Sequence, residues 1–305
     1  MAVANVPLIL RLVSCSVAAA NKAGSIIRSV LQNGDLAVID KGLGQGEFDP
    51  QTIADRAAQK CIITSLLQKF PSVKIVGEEE DCSDIIEVAE TEDDSTVLQQ
   101  HCPQELKNCK EEEIVVWVDP LDGTKEFTDG LIEHVTVLIG ISIRGRPVAG
   151  VIHQPFYRPK EKGRTIWGVQ GIGAFGYEKS THDGLVIVTT RSHSSEINTA
   201  SIEALNPTKI LKAGGSGYKA LLVLLGEADA YIYASKGTKR WDTCAPEAVL
   251  CAAGGSMTDI LGRPINYQYN MDYMNYVGLI ATLENHDMFV QKIPTHVKEA
   301  MSKNA

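Results

Sequence analysis

Two carboxylates, Asp119 and Asp122, close a hydrophobic run, Ile114–Val118, and are followed at once by Gly123 and Thr124. A short apolar run of this kind reads as a buried strand, so both acids stand at its C-terminal end, where α/β proteins commonly bind ligands. Pro120 blocks regular continuation of the strand and Gly123 permits a tight turn. The two carboxylates and the Leu121 carbonyl can then converge on one point, and oxygen donors of this type suit a hard cation such as Mg²⁺. A surface Asx-turn with capping aspartates is the alternative that the hexapeptide leaves open.

Other acids stand at element boundaries. Gly77-Glu78-Glu79-Glu80 follows a second strand pattern, Val73–Val76, and reads alone as a solvated acidic turn. It gains a chemical role only if Glu78 or Glu79 meets Asp119 and Asp122 in space. Asp55 lies in the first turn of a helix opening at Thr52, where it either caps the helix or serves as a base or water-orienting group. Trp241-Asp242-Thr243-Cys244-Ala245-Pro246 opens another helix, with Pro246 expected in its first turn. Asp242 is either near the cap or the completing carboxylate of a two-metal site, in which paired ions clamp an in-line phosphoryl displacement.

The glycine-rich matches divide. Gly171-Ile-Gly-Ala-Phe-Gly176 fits G-x-G-x-x-G but opens no apolar helix, so it reads as a strand-to-strand connection. Gly214-Gly-Ser-Gly-Tyr-Lys219 lacks a P-loop ending yet runs into an apolar helix. Its backbone amides and Lys219 are therefore candidates for holding a phosphate, with a plain glycine turn as the alternative. Thr190-Arg191-Ser192-His193 ends a further strand and reads by default as an exposed polar turn.

The elements that must position these groups follow from periodicity. Helices are expected over residues 8–31, 52–70, 195–205, 218–225 and 243–253, and from 286 onward; strands are expected near 135–143, 148–153, 165–169, 185–189, 230–234 and 277–282. Strands in succession come first and alternation of strand and helix later, an α+β half (residues 1–184) joined to an α/β half (185–305) in one structural unit. The 305 residues suffice for a large core without staples. Lys and Arg number 29 against 38 Asp and Glu, a net charge of −9, which argues against nucleic acid or an anionic membrane as partner. The stretch Glu78–Glu113 holds 14 of those acids and two bases, so the remainder is slightly basic and compatible with a small anion. Seven cysteines without a C-x-x-C pair point to reduced thiols and a cytoplasmic setting. The apolar N-terminal run is interrupted by Arg11, Asn21 and Lys22, too polar for a membrane span.

Taken together, Asp-Pro-Leu-Asp-Gly-Thr at 119–124, Trp-Asp-x-x-Ala at 241–245 and the preceding Gly-Glu-Glu and Ala-Asp segments resemble the lithium-sensitive, Mg²⁺-dependent phosphatase superfamily of inositol monophosphatases and fructose-1,6-bisphosphatases. Val-Trp-Val-Asp-Pro-Leu-Asp-Gly-Thr-Lys-Glu-Phe, Thr-Thr-Arg-Ser-His, Gly-Gly-Ser-Gly-Tyr-Lys and Lys-Arg-Trp-Asp-Thr-Cys-Ala-Pro-Glu look closest to its 3′(2′),5′-bisphosphate nucleotidase branch. The resemblance implies an α/β fold, a layered α/β/α/β/α sandwich of the inositol monophosphatase and sugar phosphatase type, with the site between the halves. It implies two or three Mg²⁺ ions on Glu78, Asp119, Asp122, Asp242 and the Leu121 carbonyl, and Li⁺ inhibition. Asp55 and Thr124 would orient and deprotonate the attacking water; Thr190, Ser192, His193, Gly215 and Lys219 would hold the nucleotide. The implied reaction removes the 3′-phosphate of 3′-phosphoadenosine 5′-phosphate to leave AMP, with 3′-phosphoadenylyl sulfate and 2′,5′-bisphosphates as further substrates, in a monomer or weak homodimer. An inositol polyphosphate 1-phosphatase acting on inositol 1,4-bisphosphate is the alternative enzyme, and a catalytically silent nucleotide or metal sensor the alternative class. The loop Gly42–Phe48 departs from the family by its length and glycine content and is a candidate lid; Ile53 stands where a polar residue is expected.

Overall fold

The computed structural model describes residues 6–41, 50–79, 92–158, 162–192 and 195–303. The candidate lid Gly42–Phe48 and His193 lie outside them. Helix α1 (Leu8–Asn33) ends as its sequence requires: Gly34 takes φ +79° and its N–H bonds to the Leu31 carbonyl. A bridge of β1 (Ile39–Asp40) with β2 (Pro50–Gln51) leads to α2 (Ile53–Lys69).

A six-stranded sheet follows in the order β3 (Lys74–Gly77), β4 (Ile114–Asp122), β5 (Thr136–Ile143), β6 (Arg146–Gln154), β7 (Arg164–Val169), β8 (Gly173–Phe175). Only the β3–β4 pair is parallel. Short helices α3 (Ser95–Leu98) and α4 (Thr124–Thr128) flank β4. Residues 170–172 join β7 to its antiparallel neighbour β8, so the G-x-G-x-x-G match is the strand connection expected.

The second sheet has five strands in the order β10 (Lys209–Ala213), β9 (Val186–Thr190), β11 (Ala230–Tyr233), β15 (Leu279–Thr282), β13 (Ser256–Thr258). Between its strands come α5 (Glu196–Glu203), α6 (Ser216–Leu224) and α7 (Arg240–Ala252), with a small β12 (Thr238–Lys239) to β14 (Met274–Asn275) bridge. The single C-terminal helix expected from 286 is two, α8 (His286–Lys292) and α9 (Thr295–Ser302), because Pro294 cannot continue the first.

Alternation along the strands sorts the core into three bodies. Val116 and Val118 of β4 face α1 and α2, whereas Val115 and Trp117 face α6 and α7. In the second sheet Val188 and Tyr231 face α6 and α7, and Ile187 and Ile232 face α5, α8 and α9. Five layers result, α/β/α/β/α, the sandwich expected. Helix α7 is seated by three glycines that the register brings side by side, Gly140 on β5, Gly150 on β6 and Gly168 on β7. A Cβ at Gly140 would lie 2.6 Å from the Ala245 nitrogen, and one at Gly150 would lie 2.5 Å from the Ala245 oxygen. The bare backbone is a trough into which α7 sinks. Pro246 is not in the first turn of α7, as expected, but in its interior, since the helix starts at Arg240. Packing on both faces holds the helix through the missing hydrogen bond.

Candidate functional site

Strand β4 delivers the first two acids. Period-2 alternation sends Asp119 to the same side as Val115 and Trp117, toward α7, and the register shifts between Asp119 and Asp122 where Pro120 interrupts the ladder. The Asp119 carboxylate accepts the Leu121 N–H at 3.0 Å, an Asx-turn, but a buried one. Gly123 adopts φ +90°, and Thr124 Oγ1 lies 3.0 Å from the Leu121 oxygen and 2.9 Å from Asp55 Oδ1.

Asp55 fills the capping role that the sequence left open, and its second oxygen faces Thr124. Its Oδ2 accepts the Thr52 N–H at 2.8 Å and the Thr52 hydroxyl at 2.5 Å, closing a capping box on α2, while Oδ1 faces Thr124. Burial, opposed by the Thr52 hydrogen bonds, pushes its pKa up to about 7. Ile53 is partly exposed beside this box.

Asp122 is bound from the other half of the chain. Ser216 N–H donates to Oδ1 and Gly217 N–H to Oδ2, both at 2.8 Å, and the Thr136 hydroxyl donates at 2.8 Å. The expectation that the amides after Gly215 hold a substrate phosphate is therefore corrected for these two: the α6 N-terminus is capped in trans by a carboxylate. Gly215 itself takes φ +66°, and a Cβ there would lie 2.9 Å from both Asp122 Oδ2 and the His134 oxygen. Lys219 is buried, donates from Nζ to the Gly215 carbonyl at 2.6 Å and lies over the Tyr231 ring at 5.2 Å.

Asp242 stands in the first turn of α7 and accepts the Lys239 N–H at 2.6 Å. Glu78, just past β3, pairs with Lys41 at 3.1 Å and with Lys239 at 3.7 Å. Its neighbour Glu79 is buried and bonded to Lys41, Gln51 and Gln59, a structural role. Burial, joined by the charges of Glu78 and Asp122, raises the pKa of Asp119 and Asp242; burial also raises that of Asp122, against Lys219 and its hydrogen bonds.

Glu78, Asp119, Leu121, Asp122, Thr124, Thr190, Ser192, Gly215, Lys219 and Asp242 line a single cavity of about 250 Å³ between the two sheets. Asp55 stands behind Thr124. Among the described residues no three His, Cys, Asp or Glu side chains form a ready-made metal shell. Glu78 is drawn to the lysines, and the aspartates spend oxygens on backbone N–H groups. The donor set nonetheless fits a hard divalent cation: buried carboxylate oxygens that repel one another are stabilised by added positive charge. Sequence reasoning missed Glu126, Tyr231, Tyr233 and Thr238, which also line the cavity. Tyr231 and Tyr233 share one face of a buried strand in the five-stranded sheet and carry no local motif. Glu126 lay inside the Lys-Glu-Phe segment and was visible there only as part of the resemblance.

The family model for the inositol monophosphatase family matches residues 10–298. Human 3′(2′),5′-bisphosphate nucleotidase 1 is 45% identical over 302 residues, 96% of this chain and 97% of the human one. A protein of the same name from Dictyostelium discoideum is 36% identical, over 92% of this chain and 96% of its own. Among solved structures, an inositol monophosphatase of Thermotoga maritima superposes with a TM-score of 0.66 at 23% identity, covering 94% of this chain and 97% of that one. CysQ from Bacteroides thetaiotaomicron does so at 0.64 and 24%, covering 89% and 97%. The two structures share the fold.

Proposed function

The chain belongs to the inositol monophosphatase family, and from that footing we propose that it is a 3′(2′),5′-bisphosphate nucleotidase, a phosphomonoester hydrolase that converts 3′-phosphoadenosine 5′-phosphate to AMP and phosphate. Two features support the reading: the extent of identity to proteins of that name, and the shared cavity. The cavity has an acidic wall, Glu78, Asp119, Asp122 and Asp242, and is lined as well by Lys219, Thr190 and Ser192. Lys219, Thr190 and Ser192 in that lining favour the nucleotide over the inositol substrate, since a buried ammonium and hydroxyls suit a second phosphate.

Mg²⁺ dependence and Li⁺ sensitivity are general traits of the family. Glu78, Asp119, Asp122, Asp242 and the Leu121 carbonyl would hold Mg²⁺, which when bound neutralises phosphoryl charge and lowers the pKa of water. The chain's own groups do the rest. The Thr124 hydroxyl, shared between Asp55 and the Leu121 carbonyl, is placed to orient a water. Asp55, raised toward neutrality by burial, can take a proton through Thr124 near physiological pH. Overall the water oxygen bonds to phosphorus, the bond from phosphorus to the 3′-oxygen breaks, and that oxygen ends protonated. Residues 1–184 supply all the acids but Asp242, and residues 185–305 supply the nucleotide-facing groups, which is the functional sense of the two halves. Among the described residues no helix is long and apolar enough to cross a membrane.

The test is phosphate release from 3′-phosphoadenosine 5′-phosphate with and without Mg²⁺, for the wild type and Asp122→Asn. The expected result is Mg²⁺-dependent release that the substitution cuts roughly a thousandfold. Equal release by both proteins would overturn the metal assignment.

A further inference from the structure

Strand β9 ends at Thr190, and the next residue, Arg191, reaches across to the other half of the chain. Its Nη2 lies 3.2 Å from Glu126 Oε1 and 2.8 Å from Asp129 Oδ2, both at α4, directly after the Asp-Gly-Thr turn. Glu126 is almost wholly buried and lines the cavity. It also lies flat against the backbone of Gly214: a Cβ there would fall 1.9 Å from Glu126 Cδ. Gly214 N–H is held from another side by His134 Nδ1 at 3.2 Å, and the Arg191 N–H bonds to the Ala213 oxygen at 3.1 Å. One carboxylate thus touches both segments that face the non-reacting part of a substrate, residues 190–192 and 213–217.

We propose that Glu126 and Arg191 form a clamp of positioning residues that sets these two segments against the acidic wall, and that Arg191 also cancels the charge of a carboxylate lining a cavity built to receive an anion. The inference rests on the nucleotidase reading for its substrate and on the geometry alone for the clamp. Without Arg191 two things change. The segments lose their tie to α4, and the Glu126 carboxylate is left unpaired where the substrate's second phosphate would approach. Without the Glu126 charge only the repulsion disappears, because an amide of the same shape still packs on Gly214 and Arg191 still pairs with Asp129.

The experiment is a double-mutant cycle, Arg191→Ala, Glu126→Gln and both together, with Arg191→Lys as the variant that keeps the charge. It reads kcat and KM for 3′-phosphoadenosine 5′-phosphate, Mg²⁺ half-activation, and amide exchange of the folded protein. Arg191→Ala is expected to raise KM roughly tenfold or more, the size expected for a lost charge-assisted contact. Its kcat should stay within about threefold and its Mg²⁺ half-activation should not move, because no metal ligand is touched. Arg191→Lys, able to reach only one of the two carboxylates, should fall between it and the wild type. Glu126→Gln alone should be mild, and added to Arg191→Ala it should restore part of the lost KM. Exchange in residues 186–192 and 210–217 should quicken in Arg191→Ala and Arg191→Lys while 114–122 stays protected. An unchanged KM, a loss confined to kcat, or unchanged exchange in the two segments overturns the clamp. Wild-type protein that leaves the substrate intact overturns the nucleotidase reading instead, and the exchange comparison then decides the clamp by itself.

Discussion

Gly150→Ala tests how α7 positions Asp242. The added Cβ would lie 2.5 Å from the Ala245 oxygen and 3.0 Å from its Cα, both backbone atoms that cannot swing aside. Restoring ordinary contact requires α7 to back away by roughly 1 Å at that point, and overpacking of this kind costs about 1–3 kcal/mol. Ala245 is one turn from Asp242 on the same helix, so the displacement passes to that carboxylate, while Asp119 and Asp122 stay on β4. A misplacement of about 1 Å at a reacting centre costs roughly 10²-fold in rate. The variant should therefore melt several degrees lower, need more Mg²⁺ for half-activation, and lose about two orders of magnitude in kcat. Gly168→Ala is the internal comparison: its Cβ meets Ala252 at 3.0 Å and Val249 at 3.1 Å, two turns farther along. It should cost comparable stability and much less activity. A folded Gly150→Ala with wild-type kcat and Mg²⁺ response, or a Gly168→Ala that is the more damaging to catalysis, would mean that the glycine trough does not position Asp242.

Asp122→Asn should leave the fold intact and reduce turnover roughly a thousandfold, the equivalent of about 4 kcal/mol of transition-state stabilisation; near-normal turnover at saturating Mg²⁺ would count against it. His153→Ala and Lys219→Ala probe different links. His153 is fully buried, and burial holds its imidazole down at about 3. The unfolded chain therefore takes up a proton near pH 6.5 that the folded one refuses, and stability present above that pH is lost as pH falls toward 3, by up to ~5 kcal/mol. Urea melts at pH 7 and pH 4.5 should show this slope in the wild type and a shallower one in His153→Ala. Lys219→Ala should lower kcat/KM roughly ten- to a hundredfold for 3′-phosphoadenosine 5′-phosphate, more than for inositol 1,4-bisphosphate; equal losses on both would remove Lys219 from nucleotide recognition. Li⁺ should inhibit the Mg²⁺-activated enzyme in an uncompetitive or mixed pattern, with Na⁺ much weaker, and insensitivity at full Mg²⁺ activation would contradict it.

The long elements were legible because their signals are local. Helix α1 carries its periodicity and its Asn33-Gly34 stop, and β4 announces itself by an uninterrupted apolar run ending in acids. What was not legible depends on register or distance. β10, Lys-Ile-Leu-Lys-Ala, is an edge strand with exposed lysines and no clean alternation, and it went unread. Gly140, Gly150 and Gly168 become one trough only once β5, β6 and β7 are paired. Pro246 was misplaced because the Lys239–Asp242 cap starts α7 earlier than its apolar pattern does. The same holds at the site. Each acid is marked by type and boundary, but the backbone amides that hold Asp122 are about 95 residues away and the arginine paired with Glu126 is 65 away, and no spacing rule reaches that far.

The choice between nucleotide and inositol substrate is decided by giving the wild-type protein 3′-phosphoadenosine 5′-phosphate and inositol 1,4-bisphosphate in parallel at fixed Mg²⁺. Phosphate release and chromatography of the nucleotide product are followed together. The larger kcat/KM is expected on the nucleotide, with AMP and inorganic phosphate formed in equal amounts. Adenosine 3′-phosphate as the product, or a preference for the inositol substrate, would contradict the nucleotidase reading.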